Sequence, residues 1–158
     1  MSIRVRQAVP GDAAAACEVL RRSIRELCVA DHQNDEKALV AWLRNKTAEN
    51  IRTWIASPNN YAVVALRDAK ICGFALVARE GTLRLCYLVP EIQHLGVGRT
   101  MLSALEAEAS RWGLRSLQLE STLSAKTFYE RNGYASSGEP VFVMLAQRAY
   151  PMQKALAP

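Results

Sequence analysis

The chain has 158 residues, of which half are hydrophobic and 22% are charged. This length and balance are typical of a soluble globular protein with a substantial core, so we expect a single domain over residues 1–158. No apolar run approaches the roughly 20 residues that span a bilayer. Residues 1–12 are charged and lack the apolar core of a signal peptide. We therefore expect a cytoplasmic protein without a membrane partner.

The basic residues, which give a formal charge of +5, are dispersed along the chain. A net positive charge favours anionic partners in general, either nucleic acid or a phosphate-bearing cofactor. Because no dense basic tract is present, we do not expect nucleic-acid binding. The four cysteines form no C-x-x-C pair and the two histidines lie far apart. The sequence therefore predicts reduced thiols and no metal site.

Residue patterning predicts one strand and then helices in the first third of the chain. Apolar and polar residues alternate over residues 3–9, as in a half-buried strand. Asp12 is a suitable N-cap for a helix over residues 13–28, whose apolar positions recur at helical spacing. Residues 31–57 are also helical in pattern, and we expect two helices with a break near residues 45–47.

The remainder of the chain alternates between strand and helix patterns. Short turns separate three runs of aliphatic, aromatic and β-branched residues, which predicts an antiparallel meander. A helix, a strand, a second helix and two strand-like runs follow. The predicted ranges are, in order, 61–66, 71–78, 83–89, 99–113, 114–120, 121–134, 141–145 and 150–156. This order predicts an α+β (mixed α/β) fold, a mixed sheet with helices on both faces, in which the strand–helix–strand unit around residue 96 is parallel and right-handed.

Gly96 and Gly98 stand where a helix is predicted to begin, shortly after an apolar run that Pro90 closes. Glycine permits unusual backbone conformations and also lets a ligand approach the backbone closely. The first amides of a helix have no internal partner and carry partial positive charge, so a phosphate or pyrophosphate can bind there. The chain lacks a P-loop motif and the third glycine of the dinucleotide fingerprint. Taken alone, the two glycines leave both a tight turn and an anion site open.

Two motifs together resemble the GNAT superfamily, the GCN-type N-acetyltransferases. The segment QHLGVG, Gln93 to Gly98, is similar to the family's [Q/R]-x-x-G-x-[G/A] motif at a helix start. The segment FYERNGY, Phe128 to Tyr134, is similar to its helix-end signature F-Y-E-x-x-G-[F/Y]. The order of elements fits along nearly the whole chain. The resemblance implies a mostly antiparallel sheet of six to seven strands with splayed fourth and fifth strands, and it implies acetyl-CoA as co-substrate.

The resemblance also implies where the co-substrate lies. The pyrophosphate would bind the amides of residues 94–100, with Arg99 adding charge and Thr100 a hydroxyl. The pantetheine arm would pair with the backbone of Leu88 and Val89, and an N–H group there would polarise the thioester carbonyl. The cofactor-binding residues implied are Leu88, Val89, Gln93, His94, Leu95, Gly96, Val97, Gly98, Arg99 and Thr100.

The resemblance identifies a candidate proton donor but no base on the fourth strand. Tyr129 matches the tyrosine that commonly protonates the departing thiolate, and a packing role beside Phe128 is the alternative. Many members carry a glutamate base on the fourth strand, but this chain has no carboxylate there. Glu120, at the end of the fifth strand, is the candidate base through a water molecule, and an ordinary polar strand end is the alternative. Cys86 has no obvious activating base, so we expect no acyl-cysteine.

The resemblance implies that the first helices form the acceptor site. Glu26, Asp31 and His32, with Asp35 nearby, would lie at its mouth, where acids can hold a cationic amine; they would equally suit a solvated helix end. We therefore expect direct acetyl transfer, in a ternary complex, to a primary amine of a small molecule or peptide. A non-catalytic acyl-CoA-binding module is the alternative, motivated by the missing carboxylate. A homodimer is expected by analogy alone.

Overall fold

The computed structural model describes residues 2–144 and 147–157. Eight strands occur in this part of the chain: β1 (Ile3–Gln7), β2 (Asn60–Arg67), β3 (Lys70–Ala78), β4 (Leu83–Leu88), β5 (Ser116–Ser121), β6 (Ala135–Ser136), β7 (Val141–Met144) and β8 (Gln147–Ala155). One antiparallel sheet has the order β1-β2-β3-β4, and in the other β8 lies between β5 and β6 and also pairs with β7. The α+β, mostly antiparallel fold is confirmed, with two four-stranded groups instead of one sheet of six or seven strands.

The helices of the described residues are α1 (Ala13–Leu27), α2 (Val29–His32), α3 (Glu36–Leu43), α4 (Ala48–Ala56), α5 (Val97–Arg111) and α6 (Lys126–Arg131). The predicted break near residues 45–47 is present, because Thr47 caps α4 by accepting the Asn50 amide (3.1 Å). The segment 31–57 nevertheless contains a helix start that was not predicted, because the Asp35 side chain caps α3 by accepting the Lys37 amide (3.0 Å). None of these helices is long and apolar enough to cross a membrane.

The C-terminal third departs most from the expected elements. The helix predicted over residues 121–134 is confined to α6, because Ser121 ends β5 and Thr122 holds a turn through the Ala125 amide (3.0 Å). The strand β8 runs on from Gln147, three residues earlier than predicted, and β6 pairs with it. The predicted strand 141–145 is present as β7, and its last residue lies outside the described residues.

Helices α1 and α5 cover opposite faces of the first sheet. Side chains of β2 alternate between them: Val63 and Ala65 pack with α5, whereas Val64 and Leu66 pack with α1. Residues 62–66 are all buried as a result, which explains why this strand reads as a continuous apolar run.

Strands β4 and β5 run parallel but touch only where they begin. The Gln118 N–H donates to the Gly81 carbonyl (3.0 Å), and Thr82 forms an isolated parallel bridge with Gln118. Beyond that point β4 pairs only with β3, and β5 pairs with β8. The expected splay of the fourth and fifth strands is confirmed, and the strand–helix–strand unit is parallel as predicted. An open cleft lies between Leu88 and Ser121.

Asp12 fixes the start of α1 against β1, although not as the side-chain cap that was expected. Its carboxylate accepts two hydrogen bonds from Arg6 (2.9 and 3.0 Å) and one from the Val9 amide (2.8 Å). The residue is 8% exposed. The hydrogen bonds from Arg6 hold the pKa of Asp12 below its ordinary value despite this burial.

We expect Asp12→Asn to lower the free energy of unfolding at pH 7 by about 1–3 kcal/mol, because the variant loses charge-assisted hydrogen bonds. The folded-state pKa of Asp12 is depressed, so its stabilisation is complete above the unfolded-state pKa of about 3.9 and is lost as the pH falls through the folded value. Urea unfolding should therefore show a gap between wild type and variant that is constant from pH 7 to about pH 5 and narrows below about pH 4.

Glu80→Gln is the control, since it removes an exposed ion pair with Arg84 (3.1 Å). This variant should change the unfolding free energy by less than about 0.5 kcal/mol. Equal losses in the two variants, or a gap that does not depend on pH, would contradict the role given to Asp12.

Candidate functional site

Residues 93–96 form an exposed turn that leads into α5. His94 and Gly96 adopt positive φ angles of 66° and 82°. The first amide to bond back into the helix is that of Thr100, which donates to the Gly96 carbonyl (3.1 Å). The amides of residues 97–99 therefore have no helical acceptor. A Cβ at Gly96 would have no heavy atom within 4 Å, so the space beside this turn is open to an anion.

The side chains around the turn divide between solvent and core. Those of four residues are exposed: Gln93, His94, Leu95 and Arg99. Val97 is buried in the core beneath the turn, so only its backbone faces outward. The Thr100 hydroxyl donates to the Gly96 carbonyl (2.9 Å). The hydroxyl thus pairs with the turn itself, and its use for a phosphate stays a prediction.

Gly98 serves the packing of two helices. A Cβ at this position would lie 3.0 Å from Cε1 of Phe128 and 3.5 Å from Cδ2 of Leu88. The missing side chain therefore lets α6 approach the start of α5, whereas the sequence suggested that it leaves room for a ligand. The two motifs that carry the family resemblance meet at this contact.

Every second residue of β4 directs its backbone N–H and C=O groups towards the cleft. The Val89 N–H donates to the Cys72 carbonyl (3.0 Å), towards β3. Because successive residues of a strand direct their N–H groups to opposite edges, those of Cys86 and Leu88 point towards the gap beside β5. Val89 therefore cannot supply the N–H that polarises a carbonyl, as the resemblance had allowed, whereas Leu88 can.

Tyr129 lies in the core on the α5 side of the cleft and is 6% exposed. Its ring packs edge-to-face against Phe128 and Tyr134, with centroids 5.2 and 5.7 Å apart. Burial raises the pKa of Tyr129 well above its ordinary value, and the neighbouring Cys86 and Tyr87 add to that effect. The phenol therefore stays protonated at neutral pH, which a proton donor requires.

Cys86 lies on β4 beside this tyrosine. Burial raises the pKa of its thiol to about 12. The thiolate, which is the nucleophilic form, is therefore scarcely populated near neutral pH. No group of three or more potential metal ligands lies together in the part of the chain that the structure describes.

A cavity of about 240 Å³ opens on the α1 face of the cleft. Leu85 and Tyr87 of β4 line one wall, and Glu120 of β5 lines another. Glu120 is exposed, and it lies beyond the point where β4 and β5 are bridged. Glu120 therefore lines the cleft on its α1 side, whereas Tyr129 is packed in the core on the α5 side.

The acids expected at the acceptor mouth form ion pairs or hydrogen bonds with other residues of the protein. Glu26 forms an ion pair with Arg22 (3.0 Å). Arg22 also donates two hydrogen bonds of 2.9 Å to the Glu91 carboxylate. The hydrogen bonds from Arg22 lower the pKa of Glu91 to about 2. Glu26 is thus part of a network that ties α1 to the turn before α5, and Asp35 caps α3.

Asp31 and His32 also have structural partners. The Asp31 carboxylate lines the cavity but accepts the amides of Leu123 (2.7 Å) and Ser124 (3.1 Å), together with the Ser124 hydroxyl. His32 is 1% exposed. Its Nδ1 accepts the Asn34 amide (3.0 Å), so its Nε2 carries the proton and donates to the Ile24 carbonyl (2.9 Å). These contacts give both residues a structural role, and their contact with the acceptor stays a prediction.

Four residues that the sequence analysis missed line the same cavity: Lys46, Arg84, Gln147 and Arg148. They come from the loop before α4, from β4 and from the start of β8. No motif in the sequence connects positions this far apart along the chain. Only the pairing of β8 beside β5 and the position of α1 bring them together.

Comparison with known proteins agrees with this geometry. The family model of the acetyltransferase (GNAT) domain matches residues 28–156. A spermidine N(1)-acetyltransferase of Thermoplasma acidophilum is 25% identical over 145 residues, which are 85% of this chain and 89% of the relative.

Solved structures share the fold along the full length. A GCN5-related N-acetyltransferase from Rhodopseudomonas palustris has a TM-score of 0.87 at 22% identity, with 99% of this chain and 97% of that chain covered. The PaiA N-acetyltransferase of Thermoplasma acidophilum, in complex with coenzyme A, has a TM-score of 0.84 at 22% identity, with 98% and 99% covered. The family match over most of the chain, together with the splayed strands and the glycine turn, shows that the chain belongs to the GNAT family of acetyl-CoA-dependent acetyltransferases.

Proposed function

We propose that this acetyltransferase moves the acetyl group of acetyl-CoA to a primary amine of a small molecule or peptide, in a ternary complex without an acyl-enzyme. One observation carries the proposal: the unpaired edge of β4 and the free amides at the start of α5 border the same cleft. An extended acyl-CoA offers amides for the first and phosphates for the second.

The co-substrate would bind mainly through the backbone. Its pyrophosphate would lie on the amides of residues 97–99, with the exposed Arg99 supplying charge. Its pantetheine arm would pair with the cleft-facing groups of Cys86 and Leu88 as an added strand. Leu88 can keep an apolar side chain in this role, because only its main chain is used.

The chemistry follows from the groups at the cleft. The neutral amine attacks the thioester carbonyl carbon, and the oxyanion that forms is stabilised by the Leu88 N–H. As the C–N bond is completed, the C–S bond breaks and the CoA thiolate takes the proton of Tyr129. The proton lost by the amine passes through water to Glu120. The buried Cys86 thiol takes no part.

Release of the CoA thiol in the presence of a panel of primary amines tests the proposal directly. The panel includes spermidine, since the Thermoplasma relative is named for that amine. Amine-dependent release is the expected result. Tight binding of acetyl-CoA without release across the whole panel would instead favour a non-catalytic acyl-CoA-binding module, which the missing carboxylate on β4 motivates.

We expect Gly96→Ala to weaken acetyl-CoA binding about tenfold or more, because its methyl group would occupy the open space beside the free amides. Gly113→Ala is a matched control: its φ of 86° is similar, and a Cβ there would also meet nothing within 4 Å. Both variants should lose roughly 1–2 kcal/mol of stability from the left-handed backbone. Calorimetric titration with acetyl-CoA measures the difference, and equal affinities in the two variants would refute the assignment of this turn.

We expect Tyr129→Phe to lower kcat by about 10²-fold or more while acetyl-CoA affinity changes by less than about twofold, because only the proton donor is removed. In the wild type, burial raises the pKa of Tyr129, so the phenol should stay protonated up to about pH 10. We therefore expect no decrease in kcat from deprotonation of Tyr129 in this pH range. Steady-state kinetics across this pH range measures both effects.

Tyr134→Phe controls for the loss of a hydroxyl in the same aromatic group. The Tyr134 hydroxyl donates to Glu106 (2.9 Å), away from the cleft. This variant should lose about 1 kcal/mol of stability and keep its kcat. A normal kcat in Tyr129→Phe, or equal losses of kcat in both variants, would show that Tyr129 only packs.

A further inference from the structure

The acceptor side of the cleft carries both cationic and acidic side chains. Lys46, Arg84 and Arg148 line the 240 Å³ cavity together with two carboxylates. Arg84 pairs with Glu80 (3.1 Å). The ion pairs found among the described residues involve neither Lys46 nor Arg148. The cavity therefore holds two cationic side chains that have no carboxylate of their own.

Lys46 is held in place by its backbone. Its carbonyl accepts hydrogen bonds from Arg21 (3.0 Å) and from the Cys17 thiol (3.2 Å), which fix the loop against α1. The ammonium group donates to the Asn45 side chain (2.7 Å) and has two further protons. Burial lowers the pKa of Lys46. A bound anion would offset this cost of partial desolvation.

Gln147 adds a buried donor to the same wall. The residue is 8% exposed, and its Nε2 has no hydrogen-bond partner among the described residues. It lines both the 240 Å³ cavity and an adjoining cavity of about 370 Å³. Buried amide groups are rarely left without a partner, so this donor points to a ligand or water at the site.

The carboxylates keep their charge but have their own surroundings. Asp31 accepts three hydrogen bonds from residues 123 and 124, which hold it in place. Glu120 lines the cavity at the end of β5, on the side of the cleft. The cavity thus offers one acidic end beside the cleft and a cationic wall with an unpaired amide donor.

We propose that the acceptor carries an anionic group, a carboxylate or a phosphate, which Lys46, Gln147 and Arg148 bind while its primary amine faces Glu120 and the cleft. This inference rests on the proposed function and names the class of acceptor. An amine without an anionic group leaves Lys46 and Arg148 without a counter-ion.

Matched pairs of amines test the inference. Lysine and cadaverine differ by a carboxylate, and phosphoethanolamine and ethanolamine differ by a phosphate. We expect at least a tenfold higher kcat/KM for the anionic member of one pair, and the pair that responds identifies the group. Similar values within both pairs, or a preference for spermidine, would overturn the inference.

Variants show whether the preference comes from this wall. Lys46→Met and Arg148→Gln should each raise KM about tenfold or more for the anionic acceptor and about twofold or less for the partner that lacks the anionic group, because one charged contact is lost. KM for acetyl-CoA should not change, since the phosphates of that molecule are expected at the glycine turn. Arg52→Gln, on the exposed face of α4, is the control for loss of one positive charge and should behave as wild type.

The outcomes separate this inference from the proposed function. Transfer to both members of each pair with equal efficiency would keep the function and refute the inference, as would variants that affect both members equally. A raised KM for acetyl-CoA would assign the cationic wall to the co-substrate instead. Calorimetric binding of the anionic amine to the CoA-loaded protein, lost in the two variants but without turnover, would support the inference and refute the function.

Discussion

The separation of β4 from β5 is the constraint on which the rest of the structure depends. Two parallel strands that begin side by side at Thr82 and Gln118 would ordinarily continue to pair, and here they do not. Backbone groups along the gap, such as those of Leu88, need a partner, because an unpaired peptide group away from water costs free energy. With α1 and α5 covering the two faces of the sheet, the gap accepts an extended chain that carries its own amides. The fold thus leaves backbone groups along the gap that the pantetheine arm would pair with under the proposed function.

The two glycines, Gly96 and Gly98, have different roles in the proposed binding of such a ligand. Gly96 takes the left-handed conformation and leaves open space beside the free amides, so it shapes the surface that faces solvent. Gly98 faces inward and admits the ring of Phe128, whose neighbour Tyr129 packs edge-to-face against it. A change at Gly98 would therefore displace the tyrosine as well as the helix start. The anion site and the proposed proton donor are coupled through this one contact.

The parts of the site that could be predicted from the sequence are those that local residues determine. The glycine turn, the strand meander and the buried tyrosine follow from short motifs and periodicity, which need no knowledge of distant residues. The use of the Val89 amide could not be predicted, because it depends on the register between β3 and β4. The acids near residue 31 look available in the sequence, but their hydrogen bonds lie up to 93 positions away along the chain. Lys46 and Arg148 become neighbours of one cavity only after β8 pairs with β5.

The missing carboxylate on β4 and the cationic wall have a common physical consequence for the amine. A cation on the cavity wall disfavours an ammonium beside it, whereas a carboxylate such as Glu120 favours the ammonium. An acceptor that carries its own anion stabilises its ammonium in water, and pairing that anion with Lys46 and Arg148 removes the stabilisation. Binding would then deliver a more nucleophilic amine to the thioester. Under the proposal, a water-linked acceptor of the proton such as Glu120 would take the place of a strong base on β4.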